Sequence, residues 1–177
     1  MKIVLFIILF ACGLVSAQTS TPPDNWKPLR FFVGTWEGTG KGEAGDAKVE
    51  REYKFTLNNK FLQATHRSTY DPKTRNPKGN VHEDLGFFSY DKARKQFVVR
   101  QFYFEGFVIQ FLVSSISEDG KTMILDSESN ENIPKDMRSR VTYKILNDNE
   151  FTETYEIAEP GKDFAVYWVK DFKRKTQ

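Results

Sequence analysis

The chain has 177 residues and carries 26 Lys+Arg against 24 Asp+Glu, a formal net charge of +2. A balance this even gives no bulk field to draw the protein onto nucleic acid or an anionic membrane surface. With 39% hydrophobic and 15% aromatic residues, intrinsic disorder is excluded as well.

Met1 and Lys2 precede an apolar run, Ile3 to Val15, which ends in Ser16-Ala17-Gln18. A positive start, a short apolar stretch and a small-residue exit are the parts of a secretory signal peptide. The run is too short to span a bilayer, which takes about 20 apolar residues. Cleavage after Ala17 is expected, leaving residues 18–177 as a single domain in a secreted or periplasmic setting; losing Lys2 lowers the net charge from +2 to +1. The single cysteine, Cys12, lies in that leader, so disulfides, Cys-type zinc sites and thiol nucleophiles are not expected in the mature chain. Leu9 to Gly13 loosely resembles a bacterial lipobox, the alternative being a lipid anchor on Cys12. Phe10 is too bulky for that pattern, and Cys12 sits inside the apolar run rather than at its end.

A polar leader, Gln18 to Pro23, is followed by Asp24-Asn25-Trp26, which can start a short helical turn toward Phe31-Phe32. From Gly34 the hydrophobic period becomes two. Val49 to Leu57 alternates almost without error, as a strand with one buried face does. Further strands are predicted over Phe61 to Tyr70, Val81 to Tyr90, Gln96 to Glu105, Phe107 to Ile116 and Thr122 to Ser127. Met137 to Leu146, Phe151 to Ala158 and Phe164 to Phe172 complete the series. Asn58-Asn59, Glu118-Asp119-Gly120, Asn147-Asp148-Asn149 and Glu159-Pro160-Gly161 favour tight reversals between them. Asp71 to Asn80, with two prolines and a glycine, reads as a longer flexible loop. Counting Gly34 to Gly42, about ten strands follow at intervals of roughly 8–12 residues, the pattern of an antiparallel sandwich or barrel.

Glycines at alternate positions in Gly34-Thr35-Trp36-Glu37-Gly38-Thr39-Gly40-Lys41-Gly42 strip one face of a strand of side chains. A neighbouring backbone can then lie close. Trp36 is read as a packed core residue at a barrel base. The Lys-Ser/Thr ending of a phosphate loop is missing.

This glycine motif after Leu29-Arg30-Phe31-Phe32, followed by His82-x-Asp84-x-Gly86, resembles the nitrobindin-like, haem-binding-type β-barrels of the calycin group. That group also holds the lipocalins and fatty-acid-binding proteins. The resemblance covers Leu29 to Phe107 by motif and the remainder by pattern; Asp84 stands where those proteins usually have Glu. It implies an all-β, ten-stranded antiparallel up-and-down barrel with a ligand cavity, agreeing with the strand count. It also implies haem as a cofactor, held through a histidine on a late strand. Here the two histidines are His66 and His82, and the late strands offer Tyr155, Tyr167 and Trp168 instead. Haem held in that manner is therefore not expected.

Alternation picks out the polar residues among apolar neighbours. Arg51 shares a face with Val49, Tyr53, Phe55 and Leu57; His66 with Leu62, Ala64 and Tyr70; Arg100 with Val98, Phe102 and Phe104; Glu153 with Phe151, Tyr155 and Ile157. A buried charge needs a partner. Arg51 or Arg100 is thus expected either to pair with Glu153 or Asp84 across the lumen or to bind the acidic head of an amphipathic ligand. His82 and Asp84 share a strand face and could form an oriented base, although a strand-end hydrogen bond is the simpler reading. The serines show neither a nucleophile elbow nor a triad. The expected function is a non-catalytic binding barrel for a small hydrophobic or amphipathic molecule, with Arg51, His66, His82, Asp84, Arg100, Glu153 and Tyr155 as the candidate ligand-binding set. The alternatives are a haem-binding barrel, a haem-dependent or His82-based isomerase or peroxidase-like enzyme, and an interaction module whose lumen is filled by its own aromatics.

Overall fold

A computed structural model describes residues 24–43, 45–72 and 79–176. The apolar leader, Cys12 and the expected cleavage after Ala17 lie outside these residues, as does most of the Asp71 to Asn80 loop. Asp24–Phe32 forms a short 3₁₀ helix. Ten strands follow: β1 Gly34–Gly42, β2 Ala47–Thr56, β3 Phe61–Tyr70, β4 Asn80–Asp91, β5 Gln96–Phe102, β6 Val108–Ile116, β7 Thr122–Glu131, β8 Arg138–Asn147, β9 Glu150–Ala158 and β10 Ala165–Arg174. Each pairs antiparallel with the next, and β1 pairs with β10, so the sheet closes into an up-and-down barrel. Closure leaves no edge strand to protect. Among the described residues no helix is long and apolar enough to cross a membrane.

The alternation in β2 has its expected cause: Ala47, Val49, Arg51 and Tyr53 are buried, while Lys48, Glu50 and Lys54 face solvent. The glycine strand behaves as its spacing requires. A Cβ on Gly38 would lie 1.7 Å from the Asp171 carbonyl oxygen, and one on Gly42 would lie 2.3 Å from the Trp168 Cβ. These glycines are what let β1 and β10 approach and close the barrel. In the β2–β3 hairpin Leu57, Asn58 and Asn59 all have positive φ, 49°, 56° and 58°. Asparagine tolerates that region far better than leucine does.

Two boundaries differ from the sequence reading by three residues or more. β5 stops at Phe102, because residues 103–107 turn back with Gly106 N–H donating to Tyr103 O. β7 continues to Glu131 although its end is polar, since its pairing with β6 runs as far as Glu131.

One end of the barrel is plugged. The 3₁₀ helix inserts Trp26, Leu29 and Phe32, each at most 2% exposed. Trp36 Nε1 donates to Phe32 O at 2.7 Å and packs edge-on to Phe151. Arg174 fastens the plug from outside, donating to Val33 O and Phe31 O at 2.9 and 2.8 Å with its guanidinium 4.1 Å from the Trp36 ring. Toward the opposite end His82, Glu105 and Tyr167, each partly or fully exposed, line the rim of an internal cavity.

Candidate functional site

Above the aromatic plug lies a cavity of about 340 Å³, within the range of small-molecule pockets. Its walls include Phe88, Val99, Phe111, Leu125 and Val141. Its floor is charged. Arg51, His66, Glu153 and Lys170 come from β2, β3, β9 and β10 and are each at most 7% exposed. Strand pairing sets their heights: Arg51 stands opposite His66, and Glu153 opposite Lys170.

Arg51 grips Glu153 with both terminal nitrogens, Nη1 to Oε2 and Nη2 to Oε1, the latter at 3.2 Å. Its Nη1 also donates to Tyr53 OH at 3.0 Å, and its Nε to His66 Nδ1 at 3.2 Å. The guanidinium lies over Phe172, 4.8 Å from the ring centroid. Lys170 Nζ sits 3.2 Å from Glu153 Oε1, 2.9 Å from His66 Nε2 and 4.0 Å from the Trp168 ring centroid. His66 Nε2 is also 2.8 Å from Ser68 Oγ.

These contacts set the protonation states. Burial opposes ionisation of Glu153, but Arg51 and Lys170 outweigh it and hold the carboxyl at about 2. Burial, helped by the positive charges of Lys170 and Arg51 and opposed by the Glu50 carbonyl, holds His66 well below the usual histidine range. Burial lowers Lys170 to about 8; Glu153 resists that shift and Arg51 adds to it. Burial also pushes up Tyr53, Tyr103 and Tyr143, which keeps them as neutral phenols.

Of the residues singled out in the sequence, Arg51, His66 and Glu153 form the floor. Asp84 lines the cavity, but the partner of Arg51 is Glu153; burial raises the Asp84 carboxyl against the pull of Lys170. Asp84 accepts instead from Phe104 N–H at 3.4 Å. His82 stands at the mouth. Its Nδ1 meets Glu105 Oε1 at 2.9 Å and its Nε2 meets Asn80 Nδ2 at 2.7 Å, so its carboxylate partner comes from the β5–β6 turn rather than from Asp84. Tyr155 lines the cavity and donates to Ser139 Oγ at 3.0 Å.

Arg100 is a correction. It is exposed on the outer surface, donating to Ser89 Oγ at 3.4 Å, while Val99 and Gln101 face the cavity. β5 is apolar on both faces, so alternation could not tell inside from outside.

Lys170 was missed, yet its signal was present: it alternates with Trp168 and Phe172 on β10. A register shift between Val166 and Trp168 lets both Tyr167 and Trp168 reach the cavity. Tyr53, Ser68 and Gln101 were likewise missed as cavity-lining groups. Gly86 makes room for Gln101, since a Cβ there would lie 2.5 Å from its Oε1.

Haem iron would need a free axial donor aimed into this space. Both ring nitrogens of His66 are engaged, as are both of His82. Burial holds Tyr53, Tyr70, Tyr103, Tyr143 and Tyr155 in the phenol form that iron does not favour, and the late strands present Glu153, Tyr155, Tyr167, Trp168 and Lys170 in place of a histidine. Among the described residues no group of three or more His, Cys, Asp or Glu could hold a metal ion. The residues present do not fit a histidine-ligated haem site.

Solved structures resemble the chain to different degrees. Rv2717c from M. tuberculosis superposes with a TM-score of 0.62 at 14% identity, covering 88% of this chain and 100% of that one. A de novo designed fluorescence-activating β barrel gives a TM-score of 0.43 at 10% identity, covering 82% and 95%. EF1p2_mFAP2b bound to DFHBI gives 0.44 at 8%, covering 84% and 97%. A search of curated proteins finds no match. The family model for the THAP4-like, heme-binding beta-barrel domain matches residues 25–174, from the plug helix to the end of β10, and the chain belongs to that family.

Proposed function

We propose that the chain is a secreted or periplasmic barrel that binds, without catalysis, a small, largely hydrophobic molecule carrying an acidic head. The apolar run Ile3 to Val15 and the Ser16-Ala17 exit support export, and a mature chain beginning at Gln18 on N-terminal sequencing would agree with it. The family supports a ligand-binding role, and the donor set described above argues for a ligand other than histidine-ligated haem.

The observation that carries the reading is the charge count on the floor. Arg51 is neutralised by Glu153, and His66 is held neutral. Among these four floor residues a protonated Lys170 therefore leaves one positive charge beneath apolar walls, with Asp84, beside His66 on β4, as the next acid in the cavity. A ligand carboxylate supplies the missing negative charge, and the cavity walls take its hydrocarbon body. Binding should therefore raise the Lys170 pKa from about 8 and draw a proton from solvent at mildly alkaline pH.

Calorimetric titration with decanoate and with decanol tests this. The acid should bind more tightly than the alcohol, and proton uptake should appear as a dependence of the measured heat on buffer ionisation enthalpy. Lys170→Met should weaken decanoate by about 1.5–3 kcal/mol, the worth of a hydrogen bond to a charged group, and leave decanol little changed. Equal affinity for acid and alcohol in the native protein would refute the acidic head.

A further inference from the structure

The lysine on the cavity floor is built to exist in two forms, and the second is a nucleophile. Glu153 Oε1, at 3.2 Å, serves the ammonium. His66 serves the amine. Arg51 Nε–H can only donate, so His66 Nδ1 accepts and the proton of the neutral ring sits on Nε2. There it faces Ser68 Oγ at 2.8 Å and Lys170 Nζ at 2.9 Å. An ammonium has no lone pair to accept that proton, so the Lys170 contact is attractive for the amine.

We propose that Lys170 captures hydrophobic aldehydes in the cavity as a reversible imine. The proposal rests on the reading of this cavity as a ligand site and adds a covalent mode at its floor. The amine lone pair attacks the carbonyl carbon, the C–N bond forms, and the carbonyl π pair moves to oxygen. The proton released by nitrogen passes to that oxygen, giving a carbinolamine. Its hydroxyl takes a proton from solvent and leaves as water while the nitrogen lone pair forms the C=N bond; the remaining N–H proton then returns to solvent, or stays on the protonated imine. The balance is aldehyde plus amine to imine plus water, with no change of oxidation state. If the imine is protonated, Glu153 is its counter-ion at the distance already held for the ammonium.

The surroundings favour this lysine over the others. It is 3% exposed, under apolar walls that admit a hydrocarbon chain, and its lowering to about 8 leaves roughly a quarter of it as amine at about pH 7.5. A solvent-exposed lysine, near the ordinary value of about 10.4, holds very little. The groups that face it are Arg51, Glu153, His66 and, further off, Asp84; of these only Glu153 and Asp84 oppose loss of its proton.

The test is reductive trapping. The full-length mature protein is incubated with trans-cinnamaldehyde and sodium cyanoborohydride at about pH 7.5, just below the lowered lysine value, then analysed by intact mass and peptide mapping. One adduct per chain, mapping to Lys170 before any other lysine is modified, is the expected result. Lys170→Arg should lose that adduct. Adducts scattered over surface lysines, with the same pattern in the native protein and in Lys170→Arg, would overturn the proposal, and mapping of the native protein decides the matter even if the variant folds poorly. Binding of cinnamate without trapping of the aldehyde would refute the imine and leave the carboxylate reading standing; failure of cinnamate and cinnamyl alcohol to bind would count against the cavity reading itself.

Discussion

Arg51 and Glu153 are the residues on which the floor turns. Removing the cation alone leaves a carboxylate, 5% exposed, with Lys170 as its remaining ion-pair partner. Arg51→Met should therefore destabilise the fold by about 3–5 kcal/mol, read by urea denaturation at neutral pH. The gap should narrow as acid protonates the orphaned Glu153. Protonation of the native floor carries a sign that can be checked. Glu153 is held at about 2, below its ordinary value, so its share of stability is present above about 4.5 and lost as pH falls toward 2. His66 acts in the opposite direction to a paired histidine: lowered below its ordinary 6.5, it is costly to charge, so it too lowers stability as the solution is acidified. Lys170, lowered to about 8 from 10.5, is costly to hold charged, so stability should rise as pH climbs from about 8 toward 10.5. Lys170→Met should flatten that rise, and a variant retaining the full slope would show that another group causes it. Much of this site was legible one residue at a time. Arg51, His66 and Glu153 interrupt clean alternations, and the period of two gives each its face. It does not give height along the barrel, so the sequence left Glu153 and Asp84 as equal partners for Arg51; only the register of β9 against β10 and around to β2 chose between them.

At the scale of the strand, the glycines of β1 separate closure from chemistry. Gly38 faces the β10 backbone, and a Cβ there would strike the Asp171 carbonyl at 1.7 Å. Gly40 faces the stem of Lys170, where a Cβ would sit 3.3 Å from Cγ, a contact that a flexible side chain can relieve. Gly38→Ala should cost about 3 kcal/mol or more, because a paired backbone cannot step aside. Gly40→Ala should fold nearly as well but shift Lys170, and so move the decanoate affinity more than the melting temperature. Equal loss of stability in the two would contradict this division. The spacing of these glycines announced a close approach without naming the strand that approaches. β5 was illegible for the opposite reason: with Val98 and Val99 both buried, its apolar content pointed both ways and put Arg100 inside. Glu105, the partner of His82, was read as part of a strand, and its position follows from a turn whose Gly106 has φ of 88°.

The whole molecule is a cup. Closure of β1 on β10 fixes the wall, the 3₁₀ helix and Trp36 seal the base, and the charged floor lies between that seal and the open cavity. Strand count, spacing and motif were enough to expect the barrel, since ten short alternating segments have few other ways to bury one face each. The size of the lumen was not legible, because whether inward aromatics fill a barrel or line it depends on their rotamers. Tyr70 shows the difference: its buried hydroxyl faces Ser68 without a partner at good hydrogen-bond geometry, lining the space instead of filling it. The central claim is that this space takes a ligand head-down onto Lys170. Its most direct test is a two-dimensional NMR titration of selectively labelled protein with decanoate, following the Lys170 Nζ and the backbone amides. The account predicts saturable shifts at Lys170, Ser68, Val99 and Gln101, with Arg100, on the same strand but outside, unmoved. Shifts confined to exposed residues, or no saturable shift at Lys170, would contradict it.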